Sequence, residues 1–533
     1  MAVIAPQTDV YLLKVPLEID DINQLTFTSQ NAQHNYFNSL PKIGVDNFTY
    51  QRKDGTIRYG ANFDSLIEFN YVMYRNDAYS NKWFYAFITG MEYLNDNVTA
   101  ISIKTDVFQT WQFNLEYKRT FIEREHVNND GIGVNTIDEG LEVGEYMENG
   151  LTSLYPNKTI TDASGNAISG VLANPVFFQV SELASGISIA DSMFDTAYNQ
   201  VFSGLKYFAV TSYSNARNII KRYDDAGKGD AIISIFIAPK QFLAGANVFG
   251  ELGYNIYIPK NTGLPYNLLD TTTVNRPTTV NGYTPTNKKL FTYPFSYMYV
   301  TNNAGTDATF RYEDFANATP KFQIIGALGQ GCATKLLPYG YKGDSSAVYE
   351  FGVTGAKYPV CAWASDYYTN WVTQNAVNLN VGVATSALSA GVNAGYGNYV
   401  GAASSLLSGI GGVMGQVHAA KVQPDQAKGN ANTSDLLPST SKYFSVVKMS
   451  VRAEVARCID NFFDMFGYKV NRVKVPNITG RRNWNYVKTI GCYIEADIPQ
   501  DDLKEIKDMF DKGITLWHHA STFADYSQPN DII

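Results

Sequence analysis

A charge-free apolar stretch in the middle of the chain sets the strongest limit on what this sequence can fold into. From Tyr367 to Ala420 the 533-residue sequence contains no Asp, Glu, Lys or Arg, and residues 377–417 are mostly Ala, Gly, Val, Ser and Leu. A surface patch of this size would make a soluble monomer aggregate. The stretch must therefore be buried inside the protein, enclosed by several copies of the chain, or placed in a membrane.

The spacing of apolar and small residues in this stretch predicts two helices. They recur in alternating steps of four and three from Val377 to Gly391 and again from Tyr399 to Val417. Gly and Asn in residues 393–398 favour a tight reversal between the halves, so we predict a helical hairpin. The second helix would be about 28 Å long, close to the ~30 Å hydrocarbon core of a bilayer. Gly-x-x-x-Gly pairs in the stretch would allow close helix approach in lipid.

We therefore predict a membrane-active loop that is stored in a protected place and can enter a bilayer. Its many glycines and few leucines are unlike a permanent membrane anchor. A buried helical hairpin in a soluble protein is the alternative. The residues predicted to carry the membrane activity are Val377, Val381, Val383, Leu388, Val392, Tyr396, Tyr399, Val400, Leu406, Leu407, Ile410, Val413, Met414 and Val417.

The rest of the chain predicts a mainly β, α+β fold. Tyr (37 residues) and Phe (30 residues) are abundant, which favours strands. "KWFYAFITGMEYL" (82–94) and "VTAISIKTDVF" (98–108) are predicted strands joined by a turn at 95–97, and "NNDG" (128–131) predicts another hairpin turn. "PQDDLKEIKDMFDKG" (499–513) begins with Pro and acids and ends with Gly, which predicts a helix.

The first predicted strand carries apolar residues on both faces. Because side chains alternate along a strand, Trp83, Tyr85 and Phe87 share one face, while Phe84, Ala86 and Ile88 share the other. Such a strand is expected to be covered on both sides.

The net charge of −8 argues against a protein that coats nucleic acid, because such a protein needs an excess of positive charge. Residues 442–488 are the exception, with ten Lys or Arg against three Asp or Glu. This basic stretch is interpreted as a solvated strand face or a contact with a partner subunit, and DNA contact is the alternative.

No catalytic, cofactor-binding or metal-binding residues are predicted. The four cysteines are widely spaced and match neither a disulfide framework nor a zinc site. The Gly-rich loops at 395–401 and 409–415 do not follow a β-branched strand, which argues against nucleotide binding. The alternative is a catalytic site: the acids in "FIEREH" (121–126) and "TIDEG" (136–140) could form the carboxylate pair of a hydrolase. The N-terminus shows no signal peptide, so synthesis in a cytosol is expected.

Long motifs follow one another in order at both ends of the chain. They are "HNYFNSL" (34–40), "NKWFYAFITGMEY" (81–93), "IKTDVFQTWQF" (103–113), "FIEREHV" (121–127), "NTIDEGL" (135–141), "YKVNRVKVPN" (468–477) and "DIPQDDLKEIKDMFDKGITLWH" (497–518). Together these motifs resemble the distal tail tube or tail knob proteins of small phi29-like short-tailed bacteriophages. The resemblance is strong over residues 1–145 and 445–520, weaker over 288–345 and 365–379, and poor over 150–285.

The resemblance implies a ring-forming homohexamer with tandem β-barrel tube domains, an inserted β-rich knob and a long apolar helical-hairpin loop. Six such loops would block the lumen and later form a channel for DNA in the host membrane. The implied division of the chain is an N-terminal β-barrel tube region (1–150), an inserted outer knob region (151–287), a return β region (288–370), the hydrophobic membrane-active loop with a polar linker (371–441) and a C-terminal β-barrel tube region (442–533).

The resemblance also implies partners and a location. The expected partners are other copies of the chain, the upper tail or collar protein, double-stranded genomic DNA passing through the lumen, the host cell membrane and a cell-wall receptor. The protein is expected in the tail of the virion after assembly in the host cytoplasm, and it is not expected to be an enzyme. Two rival hypotheses are a pore-forming toxin, which a secretion signal would favour, and a tail-associated cell-wall hydrolase, which would need a catalytic constellation.

Overall fold

The computed structural model divides the chain into two compact units. Unit 1 comprises Met1–Leu141, Thr286–Lys288 and Arg457–Ile533, and unit 2 comprises Glu142–Pro285 and Lys289–Ala456. The fold is mainly β, as the composition predicted: of the residues that the structure describes, 40% lie in strands and 20% in helices. The structure describes residues 8–48, 55–76, 80–168, 172–181, 197–198, 201–202, 205–225, 231–250, 252–260, 265–328, 334–356, 358, 360–361 and 443–533.

The strands of unit 1 come from both ends of the chain. They are β1 (Thr8–Leu13), β2 (Asn23–Leu25), β3 (Lys42–Phe48), β4 (Thr56–Tyr59), β5 (Tyr71–Asn76), β6 (Trp83–Asn95), β7 (Val98–Thr105), β8 (Glu116–Tyr117), β9 (Thr120–Glu125), β26 (Tyr468–Lys474), β27 (Trp484–Ile490), β28 (Ile494–Glu495) and β29 (Ile514–Trp517). Its helices are α1 (Gln30–Ser39), α2 (Phe63–Leu66), α3 (Val107–Trp111), most of α5 (Ala453–Phe466) and α6 (Gln500–Lys512).

Two large sheets organise unit 1. The six-stranded sheet has the order β3-β1-β5-β6-β7-β4, and the five-stranded sheet has the order β2-β29-β27-β9-β26. In the second sheet β2 runs parallel to β29, with Asn23 opposite Thr515, whereas β27 is antiparallel to both β29 and β9. The N-terminal and C-terminal parts of the chain therefore share one sheet.

The first half of β6 is covered on both faces, as its sequence predicts. Tyr85 and Phe87 are buried in a core that also contains Trp484 and Trp517. On the other face, Ala86 is buried in a separate core, and Phe84 and Ile88 pack against that core. The predicted turn after this strand is also confirmed, because β6 and β7 pair directly on either side of it.

The hairpin predicted at "NNDG" is wrong. β9 ends at Glu125 and pairs with β26 and β27 from the far end of the chain, not with a strand that follows it directly. The turn-forming residue Asp130 instead accepts hydrogen bonds from the backbone N–H of Lys288 (2.9 Å) and from the hydroxyl of Tyr468. Asn129 does bind nearby backbone, accepting the N–H of Gly131 (2.8 Å), so a local turn forms here without a hairpin.

The predicted helix near the C-terminus is confirmed as α6. Pro499 precedes it, Asp501 and Asp502 lie in its first turn, and Lys512 lies in its last turn. Gly513 ends the helix at a φ of 104°, a backbone conformation that glycine adopts without steric cost. The charges at both ends complement the helix dipole.

Unit 2 is also mainly β. Its strands are β10 (Tyr146–Leu154), β11 (Val176–Ser181), β12 (Ala197–Tyr198), β13 (Val201–Phe202), β14 (Leu205–Val210), β15 (Ile232–Ile237), β16 (Asn247–Phe249), β17 (Ile256–Ile258), β18 (Tyr266–Thr273), β19 (Ser296–Thr301), β20 (Asp307–Phe310), β21 (Lys321–Gly326), β22 (Thr334–Pro338), β23 (Val353–Thr354), β24 (Val360–Cys361) and β25 (Phe444–Val451). α4 (Tyr213–Asp225) is a helix of this unit.

The sheets of unit 2 join distant parts of the chain. Their orders are β10-β25-β19-β20, β16-β17-β14-β11-β15-β24, β18-β21-β22-β23 and β12-β13. One core takes residues from the first three of these sheets, among them Phe177, Met298, Phe322 and Phe444. Within this unit β10 pairs with β25, and β18 pairs with β21. The five-part division of the chain stays a prediction.

Candidate functional site

The predicted membrane-active residues, from Val377 to Val417, all lie outside the described residues, and so does the predicted helical hairpin. Among the residues that the structure does describe, no helix combines the length and the apolar character that crossing a bilayer requires. The structure does describe the residues on either side of this segment. We call Tyr358, Val360 and Cys361 before it, together with Tyr443 and Phe444 after it, the loop base.

The loop base brings the two ends of residues 362–442 together. Before the segment, β24 pairs with β15, with Cys361 opposite Ile235. After it, β25 begins at Phe444, which lies opposite Leu154 of β10. The rings of Tyr358 and Tyr443 lie 5.5 Å apart between their centroids, and both residues are buried. One aromatic contact therefore joins the residues on either side of the segment.

The return side of the loop base is firmly held in the fold. β25 lies between β10 and β19, so both of its edges are paired. Phe444 is fully buried, and the hydroxyl of Tyr443 donates a hydrogen bond to the side-chain oxygen of Asn174 (3.2 Å). Loop-closure entropy rises only slowly with loop length, so a small buried contact can hold the ends of a long segment.

Part of the basic stretch 442–488 is paired within the chain. Arg481 is buried, and its guanidinium donates to the carbonyl oxygens of Val127 and Asn530. Sequence reasoning weighed a solvated face, a partner contact and DNA, but not pairing inside the same chain. The ion pairs that compensate the stretch are Arg452 with Glu145, Lys474 with Glu125, and Lys488 with Glu123.

The acids considered as a hydrolase pair hold strands and turns together. Glu125 is fully buried and accepts the backbone N–H of Asn477 (2.8 Å) in addition to its ion pair. Glu139 accepts the backbone N–H of Lys469 (3.0 Å) and pairs with Arg124. These carboxylates compensate buried donors and cations at the edge of the five-stranded sheet, which is a structural role.

A buried polar network in unit 1 was missed by sequence reasoning. Asp460 of α5 is fully buried and accepts the backbone N–H groups of Thr286 (2.8 Å) and Asn287 (3.0 Å). Asp464, one helical turn further on, accepts from the side-chain amide of Asn287 (2.6 Å). The network fixes residues 286–288 on α5. The spacing of four between the two acids was the available signal, because it places them on one face of a helix.

Burial shifts the titration of this network. It raises the pKa of Asp464 to about 6, with the charge of Asp460 acting in the same direction. Burial also lowers the pKa of His126 to about 3, and the nearby Arg481 adds to that shift. His126 is therefore neutral in the folded protein at neutral pH. Its ring accepts the backbone N–H of Tyr486 (2.8 Å), so it serves as a structural polar group.

No metal site emerges from the described residues. Within them, no group of three or more His, Cys, Asp or Glu side chains could hold a metal ion. Two described cysteines are free thiols, Cys458 being exposed and Cys492 buried. Burial raises the pKa of the Cys492 thiol to about 11, so that thiol is protonated and unreactive at neutral pH.

Comparisons with known proteins give one consistent family. Residues 260–531, just over half of the chain, match the family model of the C-terminal domain of tail knob protein gp9 of Bacillus phage phi29. Residues 6–116 match the model of the caudoviral major tail protein N-terminus. Tail knob protein gp9 of Bacillus phage phi29 is 27% identical, that of Bacillus phage PZA 28% and that of Bacillus phage B103 26%, each over 98% of both chains.

The fold is also similar to a solved structure. The tail knob protein gp12 of bacteriophage C1 aligns with a TM-score of 0.67 at 14% sequence identity, covering 99% of this chain and 100% of that one. At this identity the likeness concerns the fold alone. The family resemblance read from the sequence motifs is confirmed by the matches together.

Proposed function

Because this chain belongs to the family of tail knob proteins typified by gp9 of phage phi29, we propose that six copies form the distal conduit through which a short-tailed phage ejects its DNA. The protein is a structural component of the virion tail and not an enzyme. In the proposed conduit, the apolar segments of the six copies plug the lumen before infection. They then leave the lumen and penetrate the host membrane as a channel.

The observation that carries this proposal is the charge-free segment from Tyr367 to Ala420 in a chain that aligns with tail knob proteins over nearly its full length. A monomer could not expose this segment to water, whereas a closed ring can enclose six copies of it. The loop base supports the proposal, because the contact of Tyr358 with Tyr443 holds the residues on either side of the segment together, next to the paired strand β25.

The proposed conduit has four further partners. They are the upper tail or collar protein, the double-stranded DNA that crosses the lumen, the host membrane and a cell-wall receptor. The charge balance suits a DNA channel, because the net charge of −8 would limit adhesion of DNA to the wall. Pairing of the basic stretch with acids of the same chain removes part of its attraction for phosphate.

Electron microscopy and vesicle leakage of the purified protein test the proposal. We expect six-fold rings and release of a trapped dye from liposomes, either directly or after a trigger such as acidification. A variant lacking residues 380–416 keeps the loop base and should form rings that release no dye. The matched control replaces residues 421–441 by a Gly/Ser linker of equal length, which should leave leakage unchanged. Equal leakage from the deletion variant, or monodisperse monomers of the intact chain, would contradict the proposal.

A further inference from the structure

An exposed apolar row crosses three strands of the five-stranded sheet in unit 1. Phe121 of β9 lies in register with Val473 of β26 on one side and with Ile490 of β27 on the other, so the three side chains share one face. They are 37%, 56% and 58% exposed, respectively. Val475, two residues beyond Val473, is exposed as well. Contiguous exposed apolar residues mark an interaction surface.

A basic side chain flanks this apolar row. Arg119 precedes Phe121 by two residues, so it lies on the same side of the chain, and it is exposed. Arg119 forms no ion pair within the part of the chain that the structure describes. A partner that covers the row would therefore meet an available positive charge at its rim.

The second half of β6 offers a complementary surface in the same unit. β5 pairs with β6 only from Trp83 to Phe87, so the edge of β6 that follows has no partner strand among the described residues. Tyr93 and Leu94 in this part are 53% and 42% exposed. An open strand edge that carries apolar side chains is an aggregation hazard unless another chain covers it.

The charge of this strand end is opposite to that of the apolar row. Between residues 83 and 103 the only charged residues are Glu92 and Asp96, both acidic and both exposed. We propose that residues 89–96 of one copy, the acidic strand end, pack across the apolar row of the next copy. Apolar contact would exclude water at the centre, and Glu92 would meet Arg119 at the edge.

The pairing of two different patches fits a ring. An interface between unlike patches repeats from copy to copy and generates a closed ring when the rotation closes. A two-fold dimer through the apolar row alone would bring Arg119 of both copies to the contact without an acidic side chain from the strand end to meet them. This inference rests on the ring of the proposed function and assigns its subunit contact.

Cross-linking tests the contact. In a chain that carries Cys332→Ser, Cys361→Ser and Cys458→Ser, buried Cys492 is the native thiol that remains, and Tyr93→Cys is combined with Ile490→Cys. A short bis-maleimide should then give a ladder of bands up to the hexamer, while each single variant stays largely monomeric on a denaturing gel. The matched control combines Ile490→Cys with Ile67→Cys, because Ile67 is also exposed in unit 1 but lies outside both patches.

A charge swap gives a second readout. Arg119→Glu should raise the concentration needed for half-assembly about tenfold, because it places two acids at the contact. Adding Glu92→Lys in the same chain should restore assembly. Rings of the intact chain without a ladder from the Tyr93→Cys/Ile490→Cys variant would overturn this contact and leave the conduit standing. Absence of rings from the intact chain would overturn both.

Discussion

Replacing Asp106 by Asn should stabilise unit 1 at pH 8 and have almost no effect near pH 4. Asp106 is buried at the start of α3, where its carboxylate accepts the backbone N–H of Gln109 (3.0 Å) and the hydroxyl of Tyr71 (2.9 Å). Burial raises the pKa of this carboxyl to about 7, although both hydrogen bonds lower it. Asn keeps an acceptor oxygen and is an equally good residue at a helix start.

The size of the effect follows from the difference between the two pKa values. The folded value of about 7 lies about 3 units above the ordinary value of 3.8, and each unit corresponds to about 1.4 kcal/mol. Because the folded value is raised, the stability from proton binding is fully present below about pH 4 and is lost as the pH rises through about 7. The Asn variant should thus gain up to about 4 kcal/mol over the natural chain at pH 8.

Denaturant unfolding followed by tryptophan fluorescence can measure this difference at several pH values. Trp484 and Trp517 are fully buried in unit 1 and report its unfolding. The natural chain should lose stability relative to the Asn variant as the pH rises from 4 to 8. A difference that does not change with pH, or an Asn variant that is less stable at pH 8, would refute the reasoning.

Asp106→Ala is the matched control at pH 4, where charge plays no part. It removes the helix cap, at about 1 kcal/mol, and leaves the buried hydroxyl of Tyr71 without this acceptor, at about 1–3 kcal/mol. The expected loss of stability is therefore about 2–4 kcal/mol. Adding Tyr71→Phe to the Asp106→Ala chain should recover the part of the lost stability that comes from the unpaired hydroxyl. A double-mutant cycle measures the free energy of that hydrogen bond.

Two further changes test other parts of the chain. Leu406→Asp or Ile410→Asp should leave ring assembly intact and block DNA delivery, because a charge at mid-helix costs roughly 2.5–3.5 kcal/mol on insertion; variant phage that infect normally would contradict this. Gly467→Ala should destabilise unit 1 strongly, since a Cβ there would clash with the backbone of Glu125, whereas Gly491→Ala, with a similar positive φ and open space, should cost about 1 kcal/mol in thermal unfolding. Equal losses for the two glycine variants would show that the clash is relieved.

The sequence by itself determined what depends on neighbouring residues. The alternation along β6 predicted a strand with two apolar faces, and both faces are buried in separate cores. The Pro, acidic and Gly signals predicted α6 and its end at Gly513. The ordered motifs also gave the family, because long matches in the same order do not arise by chance. Periodicity and end signals are local, so they can be read without knowing what packs against them.

Only the tertiary structure decided which distant segments meet. The pairing of β2 with β29, and of β10 with β25, joins residues hundreds of positions apart. The same holds for the buried roles of Glu125 and Asp460, whose partners lie far along the chain, and for β9, which pairs with β26 and β27 in place of the predicted hairpin. Register and burial between distant segments depend on the sum of many weak contacts across the whole fold, and no local pattern contains that sum.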